Sequence, residues 1–348
     1  MSFRDLRGRE DLQRHFSQAL RAKRLAHAYL FVGPEGVGKR TFAVALARAL
    51  LCENPPQDTF DACDNCPACR WVDAGTHPDF RYIALPPDKH EFPIELIHEV
   101  IRLLGVKPAR GRFRVVVLDD ADTLNEESAN AFLKTLEEPP PASVLILLGT
   151  SPDYQLPTIR SRCQVVRFAP LGPEIVADWL RREGLVKSQA EALRIAQLAQ
   201  GSLKRAQLLA QPEVWTLRQK LYELLHAGAM DAVSLAQEMQ RFVESAGQNS
   251  AQQRQRAHLV VGFVVELLRN ALAVQAGNEP GRELAAAEVS QVRRLAERVP
   301  ANQLLQALDR CLLADYHIDR RLQLALILEA LADSLSTLVT AAISASVS

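Results

Sequence analysis

Five short apolar runs punctuate the first half of the chain, at residues 28–32, 80–84, 115–118, 144–148 and 164–168. Each has the length of a strand, and the stretches between them carry helical patterning. Strands alternating with helices predict an α/β fold, a parallel sheet with helices on both faces. The near-continuous apolar character of the runs fits strands covered on both sides. From Gly172 to about Leu209 the pattern turns helical. Pro173 opens one helix in its first turn, where proline is tolerated, and Gly201 separates two short ones. Beyond Pro212 the chain is nearly all helical, with apolar spacings of three and four in 259–272 and 304–313. The polar segment 245–256 reads as a loop or frayed connection. The expected organisation is an α/β domain over 1–170, a small helical domain over 171–210 and an all-α region over 211–348.

Composition narrows the function classes. The 348 residues are 48% hydrophobic and 24% charged, the profile of a soluble globular protein. Lysine plus arginine number 41, and so do aspartate plus glutamate. That balance excludes a basic coat over the whole surface, but not a local basic patch. The charged start lacks the apolar region of a secretory signal. The apolar stretches 259–268 and 322–328 fall short of the ~20 residues a span requires. A cytoplasmic protein without a membrane span is expected.

The run 28–32 leads straight into Gly33-Pro34-Glu35-Gly36-Val37-Gly38-Lys39-Arg40-Thr41, followed by a helix-prone stretch. Strand, glycine loop and helix form the context of a phosphate loop. Gly33, Gly36 and Gly38 let backbone N–H groups turn towards phosphate oxygens, the helix start adds partial positive charge, and Lys39 supplies a point charge for the terminal phosphates of a nucleotide such as ATP. The residue after the lysine should carry a hydroxyl for Mg2+, but here it is Arg40. Thr41 comes one residue later, rotated by about 100° on a helix. Nucleotide binding without efficient hydrolysis is one reading, and a glycine turn that binds nothing is the other.

The run 115–118 ends in Asp119-Asp120, the Walker B form. Asp119 would orient magnesium. Asp120 stands where a glutamate usually polarises water, one methylene shorter, and misplacement by ~1 Å can cost ~100-fold in rate. Cys52, Cys63, Cys66 and Cys69 give two short spacings after one long one, a pattern fitting a structural tetrahedral Zn2+ site in an insertion at about 52–70. Cys163 and Cys311 stand apart, as a motif residue and a core residue.

The ordered set is more specific than its parts. Residues 128–140, Ser-Ala-Asn-Ala-Phe-Leu-Lys-Thr-Leu-Glu-Glu-Pro-Pro, resemble the helix after Walker B in clamp-loader subunits of bacterial DNA polymerase III, an AAA+ ATPase family. Gly149-Thr150-Ser151 and Ser161-Arg162-Cys163 follow in family order, and Arg24–Phe31 is similar to its lead-in to the phosphate loop. The resemblance covers roughly residues 5 to 210. It implies that Arg162 is an arginine finger reaching a neighbour's ATP, that Ser151 sits at a sensor position, and that Lys204, after Gly201-Ser202-Leu203, stands where the lid's sensor arginine is usual. The bland alternatives are a turn cap for Ser151 and a solvated charge for Lys204. His77-Pro78-Asp79 reads as a turn into the next strand, and His90 and His98 as surface residues.

The resemblance further implies a hetero-oligomer with gamma/tau- and delta-type subunits, acting on a sliding clamp and primer-template DNA. The altered magnesium position and the shortened acid favour a non-motor member that braces the ring. The alternatives are an active motor of the same family and a zinc-containing scaffold with a vestigial phosphate loop.

Overall fold

The structure, a computed structural model, describes residues 2–86, 89, 91–226, 231–281 and 284–346, so His90 lies outside the described residues. The chain forms two compact units, Met1–Gln207 and Leu208–Ser348.

The first unit is built on strands β1 (Ala28–Val32), β2 (Phe80–Ile83), β3 (Arg114–Leu118), β4 (Ser143–Gly149) and β5 (Gln164–Arg167), in the order β2-β3-β4-β1-β5 with every pairing parallel. The five apolar runs thus become the five strands. Side chains alternate between the faces, so each strand feeds two cores. Tyr29, Phe31, Val115, Val117 and Ile146 pack beneath α1 (Glu10–Arg21) and α2 (Lys39–Leu51). An aromatic cluster fills this side, with Phe16, Phe31, Phe42 and Phe168 at ring separations of 5.1–5.9 Å. After the short helix α3 (Pro67–Asp73), α4 (Ile94–Gly105) and α5 (Glu126–Glu137) cover the opposite face, where Leu30, Val116 and Leu147 meet Ile97, Val100 and Phe132. Asn125 starts α5 by accepting the Ser128 N–H at 2.9 Å, and Glu126 and Glu127 lie in its first turn, where the helix dipole favours negative charge.

Asp79 locks the sheet edge. It is fully buried and accepts N–H groups from Ala109, Arg110 and Gly111 at 2.6–2.9 Å and the Arg114 guanidinium at 3.1 Å. Burial alone would raise this carboxyl, but the three N–H donors and Arg114 outweigh it and hold it below the usual range. His77 closes the same turn, its Nδ1 accepting the Asp79 N–H at 3.0 Å, and His98 is exposed on α4. After α6 (Pro157–Arg160), three helices complete this unit: α7 (Pro173–Arg182), α8 (Gln189–Leu198) and α9 (Leu203–Leu209).

The second unit contains α10 (Pro212–His226), α11 (Ala232–Glu244), α12 (Ser250–Gln275), α13 (Ala286–Arg298), α14 (Ala301–Asp319) and α15 (Leu324–Ser346). The segment expected as a loop corrects to helix from Ser250 onward. Asn249 caps α12 by accepting N–H groups of Ala251 and Gln252 at 3.1 and 3.2 Å, and Arg256 is buried by donating to Phe242 O at 3.0 Å. Polarity misled because Gln and Arg are good helix formers that here sit behind a strong cap. Among the described residues, α12 alone is long and apolar enough to cross a membrane by length and composition, and half of its apolar window is buried inside the protein. Arg218 lies fully buried at the centre of this unit. It forms a bidentate pair with Glu266 at 2.8 and 2.9 Å, and its Nε donates to Glu288 at 2.8 Å.

Candidate functional site

Parallel strands bring their C-terminal ends to one edge, where ligands of open α/β sheets bind. β1 runs into the glycine loop, whose Gly33 N–H donates to Thr150 O at 3.0 Å. Gly36 and Gly38 take left-handed backbone angles, and Gly38 caps α2. The loop, the acidic turn after β3, the end of β4 and the helices α7 and α9 enclose a cleft of about 660 Å³. Gly36, Gly38, Lys39, Arg40, Thr41, Asp119, Asp120 and Lys204 all border it. Gly33 lies at the strand end beneath the loop. Ser151 and Arg162 are not among the lining residues. The Ser151 hydroxyl instead caps the 3-10 turn Pro152–Tyr154 by accepting the Asp153 N–H at 3.3 Å. Its neighbour Thr150 borders the cleft, held through N–H and hydroxyl by Asp122 at 2.6 and 2.7 Å. Asp122 escaped the sequence reading because nothing local distinguishes it from an ordinary turn acid.

The charges of the cleft are largely committed. The Lys39 ammonium folds back onto Gly33 O and, at 2.9 Å, Pro34 O. Burial lowers its pKa, opposed by Glu35, Asp122, Asp119 and Asp120. Lys204 pairs with Glu35 of the loop at 2.8 Å. The start of α9 packs on the loop: Leu203 N–H donates to Gly36 O at 2.9 Å, and a Cβ on Gly36 would lie 2.7 Å from Lys204 Cβ. Asp120 adopts a left-handed backbone, and its carboxyl is pushed up by burial, then by Asp119 and Glu35.

Magnesium, which a phosphate loop implies, does not fit these residues. Arg40 takes the hydroxyl position, and its guanidinium lies 4.2 Å over the Tyr82 ring. The Tyr82 hydroxyl donates to Asp119 Oδ2, and the Asp120 N–H donates to Oδ1 at 3.0 Å. Each oxygen of the Walker B carboxylate therefore already accepts one hydrogen bond, with lone pairs left over.

Arg162 follows α6 and points away from its own cleft. One guanidinium nitrogen donates to Thr158 O at 2.9 Å and Ser161 Oγ at 3.3 Å, and the other pairs with Glu137 at the end of α5. The side chain stays 32% exposed, so the pair is solvated and worth roughly 0–1 kcal/mol. Adjacent Cys163 is buried in the core below.

The four thiols converge. The Sγ atoms of Cys52, Cys63, Cys66 and Cys69 all lie within 4.8 Å of one another, with Cys66 to Cys69 at 3.4 Å and Cys52 to Cys66 at 3.9 Å. Zinc–sulfur bonds of about 2.3 Å in a tetrahedron require sulfurs about 3.8 Å apart, so the set fits zinc without rearrangement of the backbone. Burial pushes the Cys52 thiol up to about 11. Burial also works against Cys66, but N–H donors from Cys69 and Glu53 outweigh it and bring that thiol to about 7. Cys66 caps α3 and so fixes the Cys66–Cys69 spacing on one helical turn. Arg48 ties the insertion to α2: its buried guanidinium pairs with Asp64 at 2.6 Å and Asp73 at 3.3 Å.

Residues 8–172 match the family model described as DNA polymerase III, delta subunit. The chain is 44% identical over 189 residues to DNA polymerase III subunit delta' of Pseudomonas aeruginosa, a match spanning 53% of this chain and 56% of that protein. It is 35% identical over 199 residues to subunit delta' of Escherichia coli K12, spanning 57% and 59% of the two chains. Subunit tau of Escherichia coli K12 is 32% identical over 322 residues, spanning 87% of this chain and 48% of tau. The matches thus span about half the length of these relatives. The segment 8–172, which contains the phosphate loop, the cysteine cluster and the acidic turn, is thus similar to the family described as DNA polymerase III, delta subunit.

Proposed function

We propose that the chain is a delta-prime-type subunit of a DNA polymerase III clamp loader, which braces the ring and lends Arg162 to the ATP site of a neighbouring subunit. One observation carries this reading: Arg162 does not line the cleft of its own chain and stays partly exposed, held by a solvated pair with Glu137 and by local hydrogen bonds to Thr158 O and Ser161 Oγ. Arginine stays charged and offers a planar donor fork, which suits a terminal phosphate. Exchanging Glu137 for a phosphate costs little, since exposed pairs are weak. The replaced metal hydroxyl supports the non-motor part of the reading, and so does the Tyr82 hydroxyl that competes for the Walker B carboxylate.

In this proposal residues 1–170 form the nucleotide-binding domain, 171–210 the lid and 211–348 a collar joining gamma/tau- and delta-type subunits. An apolar face supports the collar: Leu305, Leu312 and Tyr316, spaced seven and four apart on α14, are 52–63% exposed, or 54% in the case of Leu305. The assembled complex would load a sliding clamp onto primer-template DNA during replication in the cytoplasm. Zinc would serve structure alone, since four thiolates leave no open position.

Turnover by the purified chain tests the assignment. No ATP hydrolysis above background is expected in isolation. Robust turnover that disappears in Lys39→Ala would instead identify a gamma-type motor.

A further inference from the structure

The cleft retains the phosphate-binding half of a phosphate loop, while its metal-binding half has been rebuilt around Arg40. Arginine at this position brings a fixed positive charge to the place from which a hydroxyl would hold magnesium. Tyr82 supports it from below at 4.2 Å, and through its hydroxyl the same ring occupies Asp119. Thr41 also borders the cleft, but it lies about 100° further round α2.

Of the other cations of the cleft, Arg182 stands on α7, and three are engaged by partners. Arg7 pairs with Asp178 at 2.5 Å, Lys204 pairs with Glu35 at 2.8 Å, and Arg9 donates to Val37 O and Ala169 O at 2.8 and 2.7 Å. Lys39 rests on two carbonyls of the loop, contacts a phosphate would replace. Arg40 rests on a ring face, which leaves its donor fork available. Lys39 and Arg40, adjacent at the start of α2 beside the glycine loop, are thus positioned to meet an anion held by that loop.

We infer that this cleft takes a nucleoside polyphosphate without a divalent cation, the Arg40 guanidinium supplying the charge that magnesium supplies at an ordinary phosphate loop. Guanidinium forks match phosphate oxygens in paired hydrogen bonds. A divalent ion placed beside Arg40 would meet a like charge and a carboxylate already holding two donors. The inference concerns the cleft of this chain and stands apart from the role of Arg162, which a separate measurement tests.

Titration calorimetry of the full chain with ATPγS, in excess EDTA and in excess magnesium chloride, decides it. The dissociation constants should agree within about twofold, and Arg40→Gln should weaken binding in EDTA by about tenfold. The double variant Arg40→Ser with Tyr82→Phe restores a hydroxyl and frees Asp119. It should bind at least about tenfold more tightly with magnesium than without. Circular dichroism establishes that each variant is folded. Wild-type binding that tightens about tenfold on adding magnesium would overturn the inference. So would an Arg40→Gln variant of unchanged affinity, or the absence of binding in both conditions.

Discussion

At the residue scale, the most heavily used side chains are those with no motif to announce them. Asp79 gathers three N–H groups and a guanidinium in full burial. Asp79→Ala would strand Arg114 and should cost about 3 kcal/mol in denaturant unfolding. The sign of the pH dependence follows from its lowered pKa. The contribution is complete above the ordinary aspartate pKa of about 4, and is lost as pH falls through the lower folded value. The stability gap between wild type and variant should therefore be full at neutral pH and shrink in acid; a gap that widens in acid would contradict this. The sequence showed His77-Pro78-Asp79 as a turn, and that much is correct. Its partners at 109–114 come together only through the pairing of β2 with β3. The Tyr82 link between Arg40 and Asp119 was illegible for the same reason: it joins three elements distant in sequence. Ser151 shows the converse. Its motif position left a sensor and a turn cap both open; the hydroxyl accepts the Asp153 N–H as a cap does, and its neighbour Thr150 borders the cleft.

At the element scale, periodicity carried most of the information. Strands buried on both faces read as apolar runs, and all five lie where those runs predicted. The glycine loop was equally legible, because only backbone angles open to glycine let it turn at Gly36 and Gly38. Helix α12 was legible only in part, since its first turns are polar and depend on the Asn249 cap. The cysteine insertion was read from spacing, and its sulfurs converge as a metal requires. Removing Cys66 should break both the ligand set and the cap of α3. Cys66→Ser should reduce zinc from about one equivalent per chain to near zero, and protease cleavage should appear within 52–70. Retention of a full equivalent of zinc, measured by atomic absorption, would show that the ligands lie elsewhere. Arg48, with its two carboxylates, should keep α2 itself in place in that variant.

At the scale of the whole molecule, the chain divides into an α/β unit and a helical unit, each with its own core. A chain ending at Gln211 should therefore stay folded, with cooperative unfolding, yet fail to co-elute with gamma/tau- and delta-type subunits in gel filtration. Co-elution of the truncated chain would remove the collar from the proposal. The helical unit offered the sequence reading little beyond its helicity. Its central Arg218 and the exposed face of α14 are set by packing among six helices, and no short motif encodes them. The central claim concerns a contact between chains, so it is best measured in the assembled complex. Steady-state ATP hydrolysis by the reconstituted loader carrying Arg162→Ala should fall severalfold, with assembly unchanged, because the finger is lost from a neighbouring site. Lys39→Ala in the same chain should leave turnover near the wild-type rate. Undiminished hydrolysis with Arg162→Ala, in a complex shown to be fully assembled, would contradict the account.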